Sequence, residues 1–391
     1  MANLRFVYLH RNLIRHPLRT GLTCAAVALP IVIYVLSTAV VHGIERFLEN
    51  SAQQLRLAIT HKASIVNPLP MSYRSKIESL DPTRERITSV CGLRWIGGQV
   101  EADPRPLSTL AVDPDTFLAT FPDYKLTPQE QEAWLRDRQA IIVGWGTAGH
   151  FGWKVGDRIT INPSVPPYTP MEFHVVSTAE KATDTVTMIC RREYLEEELK
   201  KIGAPGDVVS FFFVKCATKA DLDYFGPAID ALFANSPDET KTQDEKAFMN
   251  EFITQQFNLP RNLTILAAVT VFVAVMAAAN TMSMNFRDRL NEFATLKSLG
   301  FKSSFAMALI ESESLALCLA GGVVGVLVPY VAFTHTPLKD FTVPVIQHLE
   351  IQRIVCAQAL GISLAIGVVA GLWPAWLAAK MKAVEALRSL E

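Results

Sequence analysis

Four long stretches without a charged residue stand out in the sequence, and each is long enough to cross a membrane. They cover residues 20–41, 262–286, 314–338 and 354–379. Each exceeds 20 residues, and a helix of about 20 residues spans a hydrocarbon core of about 30 Å. The first stretch is separated from the second by 220 residues of mixed polarity, whereas the last three follow one another closely. The pattern predicts one membrane helix, a large water-facing domain and three further membrane helices.

The segment between the first two stretches alternates strand and helix patterns. Runs rich in Val, Ile, Phe and Thr predict strands. These runs are residues 108–112, 140–144, 157–161, 172–177, 185–189 and 208–214. Helical patterns follow three of them, at residues 114–121, 192–203 and 220–234. The alternation predicts α+β structure, so the expected fold class is a membrane protein with four transmembrane α-helices and a large α+β extracytoplasmic domain inserted between helices 1 and 2.

Helical periodicity also continues beyond the apolar stretches. Apolar side chains recur at spacings of three and four over residues 44–55 and 248–253, which predicts that helices 1 and 2 project from the membrane as a paired stalk. The alternative is that both segments are short caps. Residues 3–16 interleave apolar and arginine side chains, which favours an amphipathic helix on the inner membrane surface over a merely positively charged tail.

Lysine and arginine set the expected orientation, because cytoplasmic segments of membrane proteins are enriched in them. They cluster before the first helix, between the second and third helices, and after the fourth. They are Arg5, Arg11, Arg15, Arg19, Arg287, Arg289, Lys297, Lys302, Lys380, Lys382 and Arg388. Four crossings allow all three segments to be cytoplasmic, with both termini inside and the large domain outside.

Together these patterns divide the chain into nine segments. They are a cytoplasmic amphipathic N-terminal helix (1–19), transmembrane helix 1 (20–43), an extracytoplasmic α+β domain with helical stalks (44–260), transmembrane helix 2 (261–286), a short cytoplasmic helix (287–302), transmembrane helix 3 (303–338), an external loop (339–353), transmembrane helix 4 (354–379) and a cytoplasmic tail (380–391).

The near-neutral net charge hides two oppositely charged parts. Residues 44–260 hold 23 Lys+Arg and 30 Asp+Glu, for a net charge of −7, and the rest of the chain holds 14 and 8, for +6. The large domain is therefore acidic and has no basic patch of the kind that nucleic-acid binding requires.

No catalytic or metal-binding pattern appears in the large domain. The sequence contains no GxSxG, HExxH or GxxxxGK[ST] motif, and His150 and His174 have no obvious partner. Cys91, Cys190 and Cys216 show no metal-ligand spacing, and one disulfide among them is an open alternative to free thiols. We therefore expect neither a catalytic site nor a metal on this chain.

The most informative segment runs over residues 280–329. An apolar helix ends near Phe286, a basic amphipathic stretch follows, and Gly300 is a suitable C-cap before the next apolar helix. A short helix along the cytoplasmic surface suits a cytoplasmic partner, with Phe293 and Leu296 filling a groove of that partner. The alternative is an interfacial helix that binds only lipid.

This segment resembles the MacB/FtsX-type permeases of ABC transporters, the mechanotransmission class. After helix 2 that family carries approximately N-T-M and then E-R-T-x-E-I-G-x-L-K-A-L-G. The matching residues here are Asn280, Thr281, Met282, Asp288, Arg289, Glu292, Leu296, Lys297, Leu299 and Gly300. The family's Gly-Gly-x-x-G in helix 3 and its closing E-A-L-R also have counterparts, at residues 321–325 and 385–388. Asp288 replaces Glu, Ala294 replaces Gly and Ala383 replaces Pro, which suggests a divergent subfamily.

The resemblance implies a permease subunit that couples a separate cytoplasmic ATPase to motion of its outer domain. It implies no cofactor on this chain, with ATP and Mg on the ATPase, and a location in a bacterial cytoplasmic (inner) membrane. The residues implied for ATPase coupling are Arg287, Asp288, Arg289, Glu292, Phe293, Leu296, Lys297 and Gly300. Further partners implied are a second permease copy or paralogue, membrane lipids, and an adaptor or outer-membrane channel.

Two acidic residues and two pairs of glycines in the apolar helices are further candidates. Glu311 and Glu313 are costly inside a membrane, and we expect them at the interface near Lys302 or Arg289. A structural role is favoured, and a role in transport is the alternative. Two GxxxG motifs are expected at close helix contacts, within the chain or across a dimer. Their residues are Gly321, Gly325, Gly367 and Gly371.

The sequence leaves three functions open. The first is export or extraction of a lipid, lipoprotein or peptide cargo, driven by the ATPase. The second is an FtsX-like scaffold that signals to extracytoplasmic cell-wall hydrolases and transports nothing. The third is a membrane-anchored enzyme, which lacks any visible catalytic residues. The nature of the cargo, and homodimer versus heterodimer assembly, are not encoded in any recognisable motif.

Overall fold

The computed structural model describes residues 17–101, 103, 105–180, 182, 184–257, 259–335 and 351–380, without the side chains of Arg19, Gln255, Gln256, Phe257, Leu259, Lys297 and Ala378. The expected N-terminal amphipathic helix, most of the 339–353 loop and the tail after Lys380 lie outside these residues. The chain forms two compact units. We call Gly43–Phe257 the inserted domain, and residues 17–42, 259–335 and 351–380 the membrane unit.

The helices and strands follow one another in an order that alternates within the inserted domain and is purely helical afterwards. They are α1 (Pro17–Ala52), β1 (Arg56–His61), β2 (Leu69–Pro70), α2 (Tyr73–Glu78), β3 (Ile87–Trp95), β4 (Thr109–Val112), α3 (Phe117–Thr120), α4 (Pro128–Arg136), β5 (Ala140–Ile142), α5 (Trp145–Phe151), β6 (Arg158–Ile161), β7 (Met171–Ser177), β8 (Met188–Arg191), α6 (Arg192–Lys201), β9 (Val208–Val209), β10 (Phe211–Cys216), α7 (Lys219–Phe233), β11 (Thr240–Asp244), α8 (Glu245–Phe257), α9 (Leu259–Asp288), α10 (Leu290–Ser298), α11 (Ser303–His335) and α12 (Arg353–Lys380).

Four helices are long and apolar enough to cross a membrane, which confirms the helices expected from the charge-free stretches. Their candidate spans are Thr20–Ala52, Pro260–Asp288, Ser303–His335 and Arg353–Leu377. A helix satisfies its own backbone hydrogen bonds, so it can lie in lipid where an open strand cannot. Helix α1 continues well beyond residue 43 and ends at Ala52, as the helical periodicity after the apolar stretch predicted.

The inserted domain is built on a mixed nine-stranded sheet, which confirms the α+β prediction. Its strand order is β11-β1-β10-β3-β4-β8-β5-β7-β6. Neighbouring strands are antiparallel except β4 with β8 and β5 with β7, which are parallel. Strands β2 and β9 form a separate antiparallel pair.

Every predicted strand is present, and two of the predicted runs differ most from the strands that form. The run over residues 185–189 becomes β8 three residues later, and the run over 208–214 is divided at Ser210 into β9 and β10. The Ser210 hydroxyl accepts a hydrogen bond from the Trp95 backbone N–H at 3.0 Å, which fixes the break against β3. The three predicted helices correspond to α3, α6 and α7.

Sequence patterns missed strands β1, β2, β3 and β11. The edge strand β11 reads TKTQD and offers no apolar alternation, because edge strands tolerate polar side chains on both faces. Strand β1 begins with a buried arginine, and β3 contains Gly92 in its middle. Gly92 is needed at this position because a Cβ atom there would lie 3.0 Å from Val209 Cγ1 and 3.2 Å from Asp113 Oδ2.

The sheet has a hydrophobic core on each face, and strand β10 divides its side chains between them. Phe213 packs with Phe117 and Trp134 on one face. Phe212 packs with Phe225 on the other. Successive residues of a strand point to opposite faces, so the apolar run FFFV supplies both cores.

Candidate functional site

The junction between helices α9, α10 and α11 is the region that the sequence assigned to partner coupling. Helix α9 ends at Asp288 and the short helix α10 occupies Leu290–Ser298. The expected helix over residues 287–302 therefore consists of the end of α9, the whole of α10 and the turn that follows it. Gly300 has φ +89 and the Phe301 backbone N–H donates to the Leu296 carbonyl at 3.1 Å. This is the hydrogen bond of a Schellman C-cap, and it confirms the role expected for Gly300.

A buried ionic network ties the three helices together. The Arg289 Nη1 donates to Glu313 Oε2 at 2.7 Å, and the Arg289 Nε donates to Glu292 Oε2 at 2.9 Å. The Asn285 Nδ2 donates to the other oxygen of Glu313, Oε1, at 2.6 Å. Arg289 and Glu313 are only 7% and 6% exposed. Glu313 therefore lies beside Arg289, one of the two basic residues near which the sequence placed it.

An apolar cluster lies beside this network. The ring of Phe293 is 5.9 Å from that of Phe286, and the guanidinium carbon of Arg289 lies 5.3 Å from the centre of the Phe293 ring. Phe293 is 1% exposed and packs with Leu309 and other side chains of α11. The expectation that Phe293 fills a partner's groove is wrong here, because the apolar face of α10 packs against the chain's own membrane helices. Leu296 is half-buried against the same cluster.

The exposed part of the junction lies mostly in the turn after α10. Leu299 is 71% exposed and Phe301 is 38% exposed. Arg287, Asp288 and Lys302 are also exposed. We call these five residues the junction surface. Sequence reasoning missed Phe301 as a candidate, although an apolar residue directly after a C-cap glycine is a usable signal, since it lies outside the helical face that packs inward.

Glu311 and two glycines lie at the contact between α11 and α12. A Cβ atom at Gly371 would lie 2.5 Å from Glu311 Oε2 and 3.0 Å from the Ser314 Cβ. At Gly367 the Leu315 Cα would be 3.1 Å away. The absence of side chains therefore lets the two helices approach closely.

The other glycine pair allows α1 to approach α11. A Cβ atom at Gly321 would lie 2.8 Å from the carbonyl oxygen of Cys24, and one at Gly325 would lie 2.7 Å from the Ile31 Cβ. Both distances are too short for real atoms, so a side chain at either position would force the helices apart. The GxxxG motif at residues 321–325 is thus used within one chain.

The inserted domain presents no arrangement typical of catalysis in the residues that are described. His174 Nδ1 lies 2.6 Å from Asp137 Oδ2, and this partly buried pair joins β7 to the residue after α4. Across the described ranges, no three His, Cys, Asp or Glu side chains form a group able to hold a metal ion.

The cysteines of the inserted domain form no disulfide, and all three are buried. Burial raises the pKa of the Cys91 and Cys190 thiols. Burial and the nearby Asp221 carboxylate raise the pKa of Cys216 to about 12. A protonated, buried thiol is a poor nucleophile, so these residues serve as small packing groups.

Family and protein comparisons match the part of the chain that contains this junction. Residues 264–383 match the family of the FtsX-like permease C-terminal domain. A macrolide export ATP-binding/permease protein MacB from Syntrophobacter fumaroxidans is 24% identical over 157 residues, which are 40% of this chain and 21% of that protein. A macrolide export ATP-binding/permease protein MacB from Photorhabdus laumondii is 30% identical over 126 residues, which are 32% of this chain and 19% of that protein. The chain thus spans about a fifth of the length of these relatives.

A third relative covers more of both chains. The uncharacterized ABC transporter permease MJ1507 from Methanocaldococcus jannaschii is 27% identical over 281 residues, 66% of this chain and 65% of that protein.

Two solved structures are similar at low TM-score. The extracellular domain of the noncanonic ABC-type transporter YknZ from Gram-positive bacteria has a TM-score of 0.33 and 9% identity. The match covers 48% of this chain and 99% of that one. A domain of a putative permease protein from Porphyromonas gingivalis has a TM-score of 0.29 and 10% identity. The match covers 48% of this chain and 87% of that one.

The two lines of sequence similarity agree with the motifs at the junction. The FtsX-like domain covers the three C-terminal membrane helices, and the relatives are MacB proteins and an ABC transporter permease. With its four apolar helices the chain is a multi-pass membrane protein. Its residues 264–383 form an FtsX-like permease C-terminal domain, and the chain is similar to MacB proteins and to an ABC transporter permease.

Proposed function

We propose that this chain is the transmembrane subunit of an ABC transporter. A separate cytoplasmic ATPase binds the junction surface, and ATP hydrolysis moves the inserted domain to drive export or extraction of a lipid, lipoprotein or peptide. ATP and Mg²⁺ belong to the ATPase in this proposal. The observation that carries it is the α9–α10–α11 junction, in which a buried ionic network anchors a short helix next to an exposed, partly apolar turn.

The anchoring supplies a physical route for force. Arg289 at the end of α9 is held by Glu313, a residue 24 positions later in α11. Phe293 is packed into the same place from α10. A push on the turn that holds Leu299 and Phe301 would therefore move two membrane helices together rather than bend a free loop, because a closely packed cluster transmits displacement.

The junction surface also has the chemistry of a protein interface. Leu299 and Phe301 expose apolar side chains, and the junction surface also carries the charges of Arg287, Asp288 and Lys302. A small apolar centre with a charged rim is typical of protein–protein contacts.

In the proposed transporter the junction faces the cytoplasm, and the inserted domain lies outside a bacterial inner membrane with both termini inside. A second permease copy or paralogue completes a dimer, and an adaptor or outer-membrane channel is a further partner.

The first experiment purifies the full-length chain in nanodiscs and identifies what is bound. We expect an ATPase whose hydrolysis rate rises when the permease is present. Phe301→Ala should weaken its binding, whereas Arg138→Gln, on the inserted domain, should leave binding unchanged. Arg138 is a matched control because it is also exposed, at 65%.

Two outcomes would contradict the proposal. If no ATPase binds the wild-type chain and none is stimulated by it, the transporter proposal fails. If an ATPase binds and is stimulated, and the inserted domain holds a cell-wall hydrolase without any ATP-dependent release of cargo, the scaffold function replaces transport.

A further inference from the structure

The two chain segments that enter and leave the inserted domain meet at one buried ion pair. Arg56 is the first residue of β1 and follows the end of α1 at Ala52 by four residues. Glu245 is the first residue of α8, which precedes α9. The strands β1 and β11 are hydrogen-bonded neighbours, with Leu57 opposite Asp244, so the pair lies where entry and exit run side by side.

The contact between the two side chains is bidentate. The Arg56 Nε donates to Glu245 Oε2 at 2.6 Å, and the Arg56 Nη2 donates to Glu245 Oε1 at 2.8 Å. Both side chains are 5% exposed. Two parallel hydrogen bonds fix orientation as well as distance, which a single ammonium or an apolar contact would not do.

The remaining faces of the guanidinium are also occupied. Its Nη1 donates to the Thr120 carbonyl at 3.2 Å and to Asp123 Oδ1 at 3.3 Å. Its central carbon lies 4.4 Å from the centre of the Phe121 ring. Helix α3 and the residues after it therefore enclose the pair, and connect it to the aromatic core on one face of the sheet.

The short link between α1 and β1 is held from the other side. Leu55 has φ +52, a left-handed conformation that is uncommon for leucine. The Cys216 backbone N–H donates to the Leu55 carbonyl at 2.9 Å, and the Lys215 ammonium donates to the Gln54 carbonyl. Strand β10 thus holds a connection of three residues that would otherwise be free to bend.

The start of α8 is packed as firmly as the end of α1. Phe248 is 5% exposed, and its ring lies 5.7 Å from those of Phe211 and Phe213 on β10. The Ala247 backbone N–H donates to Asp244 Oδ1 at 2.8 Å, which caps the helix. Both connections therefore converge on the same strand, and the ion pair closes the ring between them.

We propose that Arg56 and Glu245 are positioning residues that lock the end of α1 and the start of α8 to the sheet, so that movement of these helices turns the inserted domain as a rigid body. This inference rests on the proposed function, because it assigns the point at which helix motion becomes domain motion. Without the pair, residues 53–55 act as a hinge and the helices move without carrying the sheet.

The test measures rigidity directly in the full-length chain in nanodiscs. Spin labels are placed at Glu49 in α1 and Thr160 in β6, which are both exposed, through unnatural side chains that leave the native cysteines intact. We expect one narrow distance peak for the wild type. Arg56→Gln should replace that peak by a broad distance distribution. Arg56→Lys keeps the positive charge but cannot make the bidentate contact, and its distance distribution should be intermediate in width.

The control separates positioning from general stabilisation. Arg192 donates to the buried Asp113 at 2.5 Å and lies away from both connections. Arg192→Gln also breaks a buried pair, and should keep the narrow peak even though it destabilises the domain. A broad distribution in this control, or a narrow one in Arg56→Gln, would overturn the inference.

A second measurement tests the functional consequence with the bound ATPase. Backbone amide exchange of residues 56–244 is compared with and without ATP and vanadate. The wild type should show an ATP-dependent change, which Arg56→Gln should lose while it keeps ATPase stimulation. An unchanged response in Arg56→Gln overturns the coupling role. If the wild type binds no ATPase, the proposed function fails, and the label distances still decide whether the lock exists.

Discussion

The inserted domain and the membrane unit each bury an arginine against a glutamate, but the two pairs join different things. Arg56 and Glu245 are 189 positions apart and make a bidentate contact beside a β-sheet. Arg289 and Glu313 are 24 positions apart, and one nitrogen of the guanidinium reaches Glu313 while another reaches Glu292. The first pair closes a domain at its two connections, and the second ties consecutive helices at a turn.

The difference follows from how each part satisfies its backbone. A membrane helix makes its backbone hydrogen bonds internally, so between its ends its backbone needs no side-chain partner. A sheet depends on pairing between distant segments, and the ends of those segments must be held by side chains. The comparison therefore predicts a large loss when the domain pair is broken and smaller losses in the membrane unit.

The largest expected effect is that of Glu245→Gln on the inserted domain. The substitution removes the carboxylate that pairs bidentately with the buried Arg56 and leaves Asp123, at 3.3 Å, as its counter-charge. This should cost about 3 kcal/mol of unfolding free energy, the low end of the range for a broken buried pair. The measurement is the urea dependence of proteolysis within the domain in the full-length chain. The exposed substitution Glu197→Gln, which removes the partner of Arg138, should cost under about 1 kcal/mol. Equal losses for the two variants would contradict the comparison.

Closing the space between α1 and α11 should have the next largest effect. In Gly321→Ala the new Cβ would lie 2.8 Å from the Cys24 carbonyl oxygen, and such overpacking typically costs about 1–3 kcal/mol. Gly361 in α12 has nothing within 4 Å of a Cβ position. Gly361→Ala should therefore be neutral or stabilising, by up to about 1 kcal/mol, because alanine is the better helix former. Thermal unfolding in mild detergent distinguishes the two variants.

The Arg289–Glu313 pair should contribute less than the domain pair. A double-mutant cycle with Arg289→Gln and Glu313→Gln should give a coupling energy of about 0.6–1.7 kcal/mol, the range for polar contacts between membrane helices. Unfolding in detergent by added denaturant supplies the four stabilities. A coupling above that of Arg56 with Glu245, measured in the same way, would reverse the comparison.

The smallest effect concerns acid and is confined to the inserted domain. Hydrogen bonds from the Ile87 backbone N–H, the Thr83 hydroxyl and the Arg86 backbone N–H lower the pKa of the Asp81 carboxyl. Because the pKa of Asp81 is lower in the folded state, its ionisation stabilises the domain at pH values above the ordinary aspartate pKa of about 3.9. This stabilisation is lost as the pH falls through the folded-state pKa.

The matching measurement compares the wild type with Asp81→Asn between pH 6 and pH 3. The variant should be less stable at pH 6, and the gap should shrink as the pH falls below that ordinary value. A gap that stays constant would show that Asp81 acts through packing rather than through its charge.

The candidate site was partly visible in the sequence because it is local. Arg289 and Glu292 lie one turn apart and Glu313 follows after one helix reversal, so the position of Glu313 near Arg289 could be expected from charge and spacing. The contact of Asn285 with Glu313 was not anticipated. The burial of Phe293 was not visible, because an amphipathic helix beside a membrane has the same pattern whether its apolar face meets a partner or its own chain.

The strands missed by the sequence patterns show the same limit within the sheet. β11 has no apolar alternation, and β1 starts with an arginine whose partner is 189 positions away. Only the sheet order, which places β1 between β11 and β10, brings Arg56 to Glu245. Neither propensity nor periodicity carries information about which distant strands become neighbours.

The sequence by itself determined the four membrane helices, the α+β character of the inserted domain and the resemblance to MacB/FtsX-type permeases, because apolar length, strand composition and short motifs are local properties. The tertiary structure alone decided which charges are buried, which side of α10 is covered and where the two connections of the inserted domain are locked together. Those features depend on long-range pairing, in which a side chain's role is set by the neighbour that folding brings to it.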